Sequence, residues 1–175
     1  MKENTVTLRA IEPEDLDLLY RIENDSQLWN AGVTNVPYSR YTLHDYIANA
    51  AADIYTDRQV RLIIEDAHHH AIGLADLVNF DPQHNRAEIG LVIEQPFRHK
   101  GLAKATLQRL HHYAMHTLHL HQLYAIIDTQ NSPAMTLFQN AGYNLTATLS
   151  DWLFDGHEYR HAALMQKVLV YGDAT

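Results

Sequence analysis

An apolar run, IGLVI at 89–93, leads into a basic, glycine-centred loop, RHKGLAKATL at 98–107, and the loop opens a long helical stripe before a second apolar run, LYAIID at 123–128. The helix spans Gly101–Leu118 by its spacing, with Leu102, Ala105, Leu107, Leu110, Ala114 and Leu118 on one face. Upstream, from Arg58, apolar residues recur at every second position. Gln59–Glu65, Ala71–Phe80 and Arg86–Glu94 read as three consecutive strands joined by the polar turns DAHHH and DPQHN. Downstream, Leu123–Asp128 is a strand and Pro133–Ala141 a short helix capped from Asn131 or Ser132 and stopped by Gly142. Tyr143–Phe154 and His157–Leu169 close the chain as two strands around a tight Asp155-Gly156 turn. At the start, Thr5–Arg9 alternates as a strand, and Pro13, Glu14 and Asp15 suit the first turn of a short helix carrying Leu16, Leu19, Tyr20 and Glu23. A second helix is expected from Thr42, with Asp45 three residues on, through Ile47 and Ala50–Ala52. The segment between, WNAGVTNVPYSR, should be loop. The order gives an α+β fold: a mixed, mostly antiparallel sheet of about seven strands with helices on both faces. Residues 1–175 are expected to form a single domain, without repeats or linkers.

The loop has a physical rationale. A helix N-terminus presents unpaired N–H groups and partial positive charge. Gly101 lets backbone approach a ligand, Ala103 keeps the wall small, and Arg98, Lys100 and Lys104 add formal charge. Together they suit an anion such as a pyrophosphate; a basic loop facing water is the plainer alternative. Nucleic acid is a poor partner for a chain of formal net charge −8, which better suits a cationic substrate. The absence of cysteine excludes disulfides and thiolate chemistry. MKENTVTLRA lacks the apolar centre of a signal peptide, and no apolar run approaches the ~20 residues a membrane helix needs, so a cytoplasmic protein with no membrane partner is expected.

R-x-x-G-x-A after a strand, then helix, strand and N-S-P-A-x-x-x-F-x-x-x-G-Y, resembles the GCN5-related N-acetyltransferase (GNAT) family. The likeness extends from TLRAIEPEDL to YRHAALM. It implies the GNAT fold and acetyl-CoA as co-substrate. Leu91, Val92 and Ile93 would then lie along the pantetheine arm. Arg98, His99, Lys100, Gly101, Leu102, Ala103 and Lys104 would hold the pyrophosphate, and Asn131, Ala134 and Phe138 would flank the arm. RAEIGLVI, RHKGLA, LYAIID, NSPAMTLFQNAGY, DGHEYRHA and the Pro37-Tyr38 pair are similar to the spermidine and diamine N-acetyltransferase branch. The ribosomal-protein N-terminal acetyltransferase branch is the competitor.

The chain departs from the polyamine branch at three places. Phe138 stands where that branch has a tyrosine acting as general acid. Asn35 and Val36 replace a pair of glutamates, and Asn79 replaces a metal-binding glutamate. No metal is therefore expected. An attacking alkylamine must first lose a proton held with a pKa near ~10. Glu88, matching a substrate-contacting glutamate of that branch, is the expected catalytic base, acting through a water; an ion pair with Arg86 is its structural alternative. Asp76 and Tyr38 are expected beside it in the substrate site. The coenzyme A thiolate, with a thiol pKa near ~8.5 by analogy with cysteine, can leave without a strong acid. Tyr143 and Tyr124 are secondary candidates for proton donation, with core or sheet packing the plainer reading of each; Trp29, Trp152, Tyr41 and Tyr46 are candidates to line the cleft, with core packing the plainer reading of Trp152. His68–His70 reads as a solvated turn, and His112 and His116 as exposed helix residues. The expected activity is acetyl-CoA-dependent acetylation of a primary amine, a polyamine or similar small molecule, by a homo-oligomer of two or more subunits. A protein N-terminal acetyltransferase and a catalytically weak acyl-CoA-binding module are the alternatives.

Overall fold

The computed structural model describes residues 5–26, 28, 36–50 and 53–170. Its elements are β1 (Thr7–Arg9), α1 (Leu16–Glu23), α2 (Arg40–Ala48), α3 (Ile54–Asp57), β2 (Val60–Glu65), β3 (Ala71–Asp81), β4 (Arg86–Ile93), α4 (Leu102–His116), β5 (Gln122–Asp128), α5 (Ser132–Asn140), β6 (Asn144–Phe154) and β7 (Tyr159–Val168). Seven strands form one sheet in the order β1-β2-β3-β4-β5-β7-β6. Every neighbouring pair is antiparallel except β4 and β5, which the α4 crossover lays parallel. The expected α+β mixed sheet is what the chain forms.

Alternation along the strands sends side chains to two separate cores. Ala75, Leu77, Ala87, Ile89, Ile93, Leu123 and Ala125 pack with Leu107, Leu110 and Ala114 of α4 and Phe138 of α5. On the opposite face Ile63 and Leu74 meet Leu18, Leu19 and Ile22 of α1 and Leu43 of α2. Leu102, Leu107, Leu110 and Ala114 of the expected α4 stripe are buried, Ala105 and Leu118 only partly so, Leu118 lying past the helix end at His116; Met115 and Thr106 join the stripe, the Thr106 hydroxyl donating to Leu102 O at 2.9 Å. Arg9 ties β1 to its surroundings by a bidentate pair with Asp15 (2.7 and 2.8 Å) and a bond to Glu65 (2.5 Å).

Local departures from the sequence reading have local causes. Ser39 caps α2 by accepting from Thr42 N at 3.0 Å, so the helix starts at Arg40, ahead of the expected Thr42. It ends at Ala48, and α3 is an additional short helix capped by Asp53. Asn131 caps α5, accepting from Ala134 N at 3.2 Å. The last hairpin closes through Asp155 N to Glu158 O, so its loop is longer than the two-residue turn expected at Asp155-Gly156.

β3 and β4 touch unusually closely at Gly73, where a Cβ would stand 2.1 Å from the Val92 carbonyl oxygen. Backbone cannot give way there as a flexible side chain would. Gly73→Ala is expected to lose about 2–3 kcal/mol of stability in urea unfolding, whereas Gly90→Ala, with nothing within 4 Å of its Cβ position, should lose well under half of that.

Candidate active site

The site begins where the parallel strands part. β4 pairs with β3 as far as Ile93, yet it pairs with β5 only over Arg86, Ala87 and Glu88. β5 stays with β7 to Asp128 and so follows the C-terminal hairpin away. Gly90, Leu91, Val92 and Ile93 are thus left with one backbone edge facing a wedge. Such an edge can add an extended ligand by main-chain hydrogen bonds. The loops to α4 and α5 leave from the same ends of β4 and β5, which brings both helix starts to the mouth of this wedge.

The first loop is shaped by its own contacts. Arg98 Nε donates to Ile93 O at 2.7 Å, folding the side chain back on the strand end. His99 (φ 60°) and Gly101 (φ 77°) are both left-handed, the alternation that gathers successive N–H groups into an anion-binding concavity. Gly101 is the N-cap of α4 and supplies no side-chain acceptor, so the first-turn N–H groups of Leu102, Ala103 and Lys104 are not capped. Lys100 and Lys104 are exposed beside them, Lys100 lying over the Phe97 ring at 5.5 Å. On the other side Ala134 is half-buried, and the Asn131 side chain is engaged in capping α5. Phe138 is buried and meets Tyr143 edge-to-face at 4.9 Å. The Tyr143 hydroxyl pairs with His111 Nε2 at 3.0 Å. Burial pushes the Tyr143 phenol far above its usual range, and burial, with Lys167 adding to it, pushes His111 down to about 4. Both are neutral near pH 7 and committed to each other.

On the α1–α2 face lies a cleft of about 510 Å³. Glu88, Asp76 and Tyr38, the three expected substrate-side residues, all line it, together with Glu23, Tyr46, Arg61 and Asn79. Alternation explains the grouping: Arg61, Asp76 and Glu88 stand on neighbouring strands and share the face of Ile63, Leu74 and Val92. Arg61 grips Asp76 through two bonds (2.8 and 3.0 Å) and also bonds Glu23. These acids raise the already high pKa of the guanidinium against the opposing effect of burial. Arg86 pairs with Asp81 at 3.1 Å, not with Glu88. Glu88 instead accepts from Asn79 Nδ2 at 2.8 Å. Tyr38 is held by Asn24, whose side chain bonds both its N–H and its carbonyl (2.8 and 3.1 Å). Burial raises the Tyr46 phenol. Three carboxylates against one guanidinium leave the cleft acidic. It meets the wedge at Gly90, which lines the cleft and begins the unpaired stretch of β4.

Other candidates lie elsewhere. Tyr41 and Trp152 are exposed, Trp152 at 57% on edge strand β6, and Trp29 and Asn35 fall outside the described residues. His68 sits in the β2–β3 turn, where Asp66 accepts from the N–H groups of His68 and His70. Among the described residues no group of three or more His, Asp or Glu is placed to hold a metal, and no helix is long and apolar enough to cross a membrane. The Glu23–Arg61–Asp76 cluster is the part that sequence reasoning missed. Its signal was the facing of Arg61 and Asp76 across a hairpin, but a bulge at Ile64/Glu65 shifts the register by one. Counting back from the turn would set Arg61 against Ala75.

Comparison with known proteins shows the family and matches the fold. The family profile described as an acetyltransferase (GNAT) domain matches residues 5–144. Spermidine N(1)-acetyltransferase of Escherichia coli K12 is 26% identical over 166 residues, covering 93% of this chain and 85% of that protein. The crystal structure of spermidine N-acetyltransferase from Vibrio cholerae in complex with CoA and spermine superposes with a TM-score of 0.83 at 25% identity, covering 94% of this chain and 96% of that one. A dodecameric structure of the Vibrio cholerae enzyme gives a TM-score of 0.78 at 26% identity, with 94% of each chain covered.

Because Arg61 compensates two carboxylates while only a quarter exposed, its removal leaves like charges facing each other. Arg61→Met is expected to cost about 2 kcal/mol in urea unfolding at pH 7. Arg61→Lys should recover only part of it, since one ammonium cannot reproduce the forked bonds to Asp76.

Proposed function

This chain belongs to the GNAT acetyltransferase family, and on that premise we propose that it transfers the acetyl group of acetyl-CoA to a primary amine of a polyamine or a similar small polycation, as a single-domain cytoplasmic enzyme. Acyl transfer to nitrogen is the chemistry of the family. The acceptor is our reading, and one observation carries it: an acidic cleft whose Glu88, without a cationic partner among the described residues, stands two residues from Gly90, where the cleft opens onto the wedge. The likeness to a protein solved with spermine supports the same acceptor class.

In this reading the co-substrate lies along the open edge of Leu91–Ile93, with its pyrophosphate on the 98–104 loop and its arm bordered by Asn131, Ala134 and Phe138. The fit is chemical. The loop offers uncapped N–H groups and lysines to an anion, and the strand offers main-chain donors and acceptors to an amide-bearing arm. Glu88, through a water, takes the proton from the ammonium that Asp76 and Tyr38 help to seat. Phe138 has no proton to give and Tyr143 is bonded to His111, so the thiolate departs unassisted, as a leaving group with a pKa near ~8.5 can. Phe138 also motivates a second reading, an acyl-CoA-binding protein with weak catalysis.

The test is release of free thiol from acetyl-CoA with spermidine, spermine, diamines and N-terminal peptides, wild type beside Glu88→Gln. Polyamine turnover is expected, with kcat falling about 10²–10⁴-fold in the variant and the KM for acetyl-CoA unchanged. Turnover with peptides alone would overturn the acceptor assignment. Calorimetric binding of acetyl-CoA with no turnover on any amine would favour the binding protein.

The partner of the enzyme is proposed to be its own copy. Strand β6 is a sheet edge of eleven residues, and Trp152, Phe154 and Tyr159 are each more than half exposed along the β6–β7 hairpin. A long apolar edge invites pairing with another chain, and the dodecameric relative shows that this fold can assemble. Trp152→Glu combined with Phe154→Glu is expected to reduce the particle mass in light scattering to that of a smaller assembly without unfolding the chain; an unchanged mass would remove this hairpin from the interface.

A further inference from the structure

Asn79 sits where β3 holds one residue more than β4. Val78 lies opposite Glu88 and Asp81 opposite Arg86, so β3 takes three steps where β4 takes two. Asn79 lies in this bulge at a φ of 50°, a left-handed conformation that asparagine tolerates better than most residues. From there its Nδ2 reaches Glu88 Oε2 at 2.8 Å.

The surroundings give this bond its weight. Of the cations near Glu88, Arg61 on β2 is taken by Asp76 and Glu23, and Arg86 on the same strand is taken by Asp81. Across on β5, Tyr124 lies in register with Glu88. Burial and then the Glu88 charge raise its phenol, with Arg86 and the Asn79 amide opposing, so it stays neutral. Asp76, the acid on β3 nearest in register, is bound to Arg61. Among the described residues Asn79 is therefore the donor to the Glu88 carboxylate, and Oε1 has no partner there.

We infer that Asn79 is a positioning residue: its amide fixes the Glu88 carboxylate in one orientation, leaving Oε1 to address the ammonium of the substrate. This rests on the reading of Glu88 as the base. A neutral amide suits the task because it donates without adding charge. A hydrogen bond donated to a carboxylate holds it in place, whereas a second carboxylate at the same distance would repel it.

Two variants separate positioning from the mere making of the bulge. Asn79→Gly keeps the left-handed backbone and deletes the donor. Asn79→Asp keeps the shape and replaces the donor with a like charge. Both are measured with Glu88→Gln and wild type at pH 7 for kcat and for the KM of acetyl-CoA, with spermidine as amine, and for thermal midpoint. In Asn79→Gly kcat is expected to fall about tenfold, and in Asn79→Asp further, with the KM for acetyl-CoA and the midpoints close to those of wild type. An unchanged kcat in both variants, with Glu88→Gln inactive, overturns the positioning role while keeping the base. Full activity in Glu88→Gln overturns the base and the positioning role together.

Discussion

Everything that could bind here depends on one broken ladder. β4 and β5 share three paired residues and then separate, because β5 is held by seven pairings to β7 while β4 is held to β3. A sheet normally satisfies each strand on both sides. Here a central strand keeps one edge without a strand partner, its Ile93 carbonyl taken by Arg98, at the end where two helices begin. Unpaired backbone groups are costly when buried, so the wedge has to be filled by water or by a ligand able to pair like a strand. The glycine-centred loop and the acidic cleft gain their meaning from this opening, one at its mouth and the other beneath it.

The electrostatics of the two sides are opposed. The loop side carries Lys100, Lys104 and an uncapped helix start. The cleft side carries Glu23, Asp76 and Glu88, partly neutralised by Arg61. A polyanion and a polycation can therefore approach the same strand from opposite faces with little competition. That arrangement suits a direct transfer between two bound partners better than a relay through an enzyme-bound intermediate.

Most of this was legible in the sequence, for a physical reason. Hydrophobic period, cap residues and glycine position are local signals, and they located the α4 stripe, the strands and the loop within a residue or two. Glu88, Asp76 and Tyr38 were expected at one site and do line one cleft. What stayed hidden depends on register. The Arg61–Asp76 pair and the Asn79–Glu88 bond each sit beside a bulge, which shifts the facing of side chains by one residue and leaves no mark in the periodicity. Trp152 failed in the other direction. A tryptophan suggests core or cleft, yet this one stands exposed on the sheet edge.

The two hydrophobic clusters touch the same sheet from opposite faces and share no buried side chain. Residues that do not touch contribute to stability almost independently. The α1–α2 face can accordingly be remodelled for a different acceptor, by changes around Tyr38, Tyr46 and Leu43, while the α4–α5 face keeps its packing and its loop. The molecule is in this sense a fixed socket joined to an exchangeable one, with the backbone of β4 as their common wall.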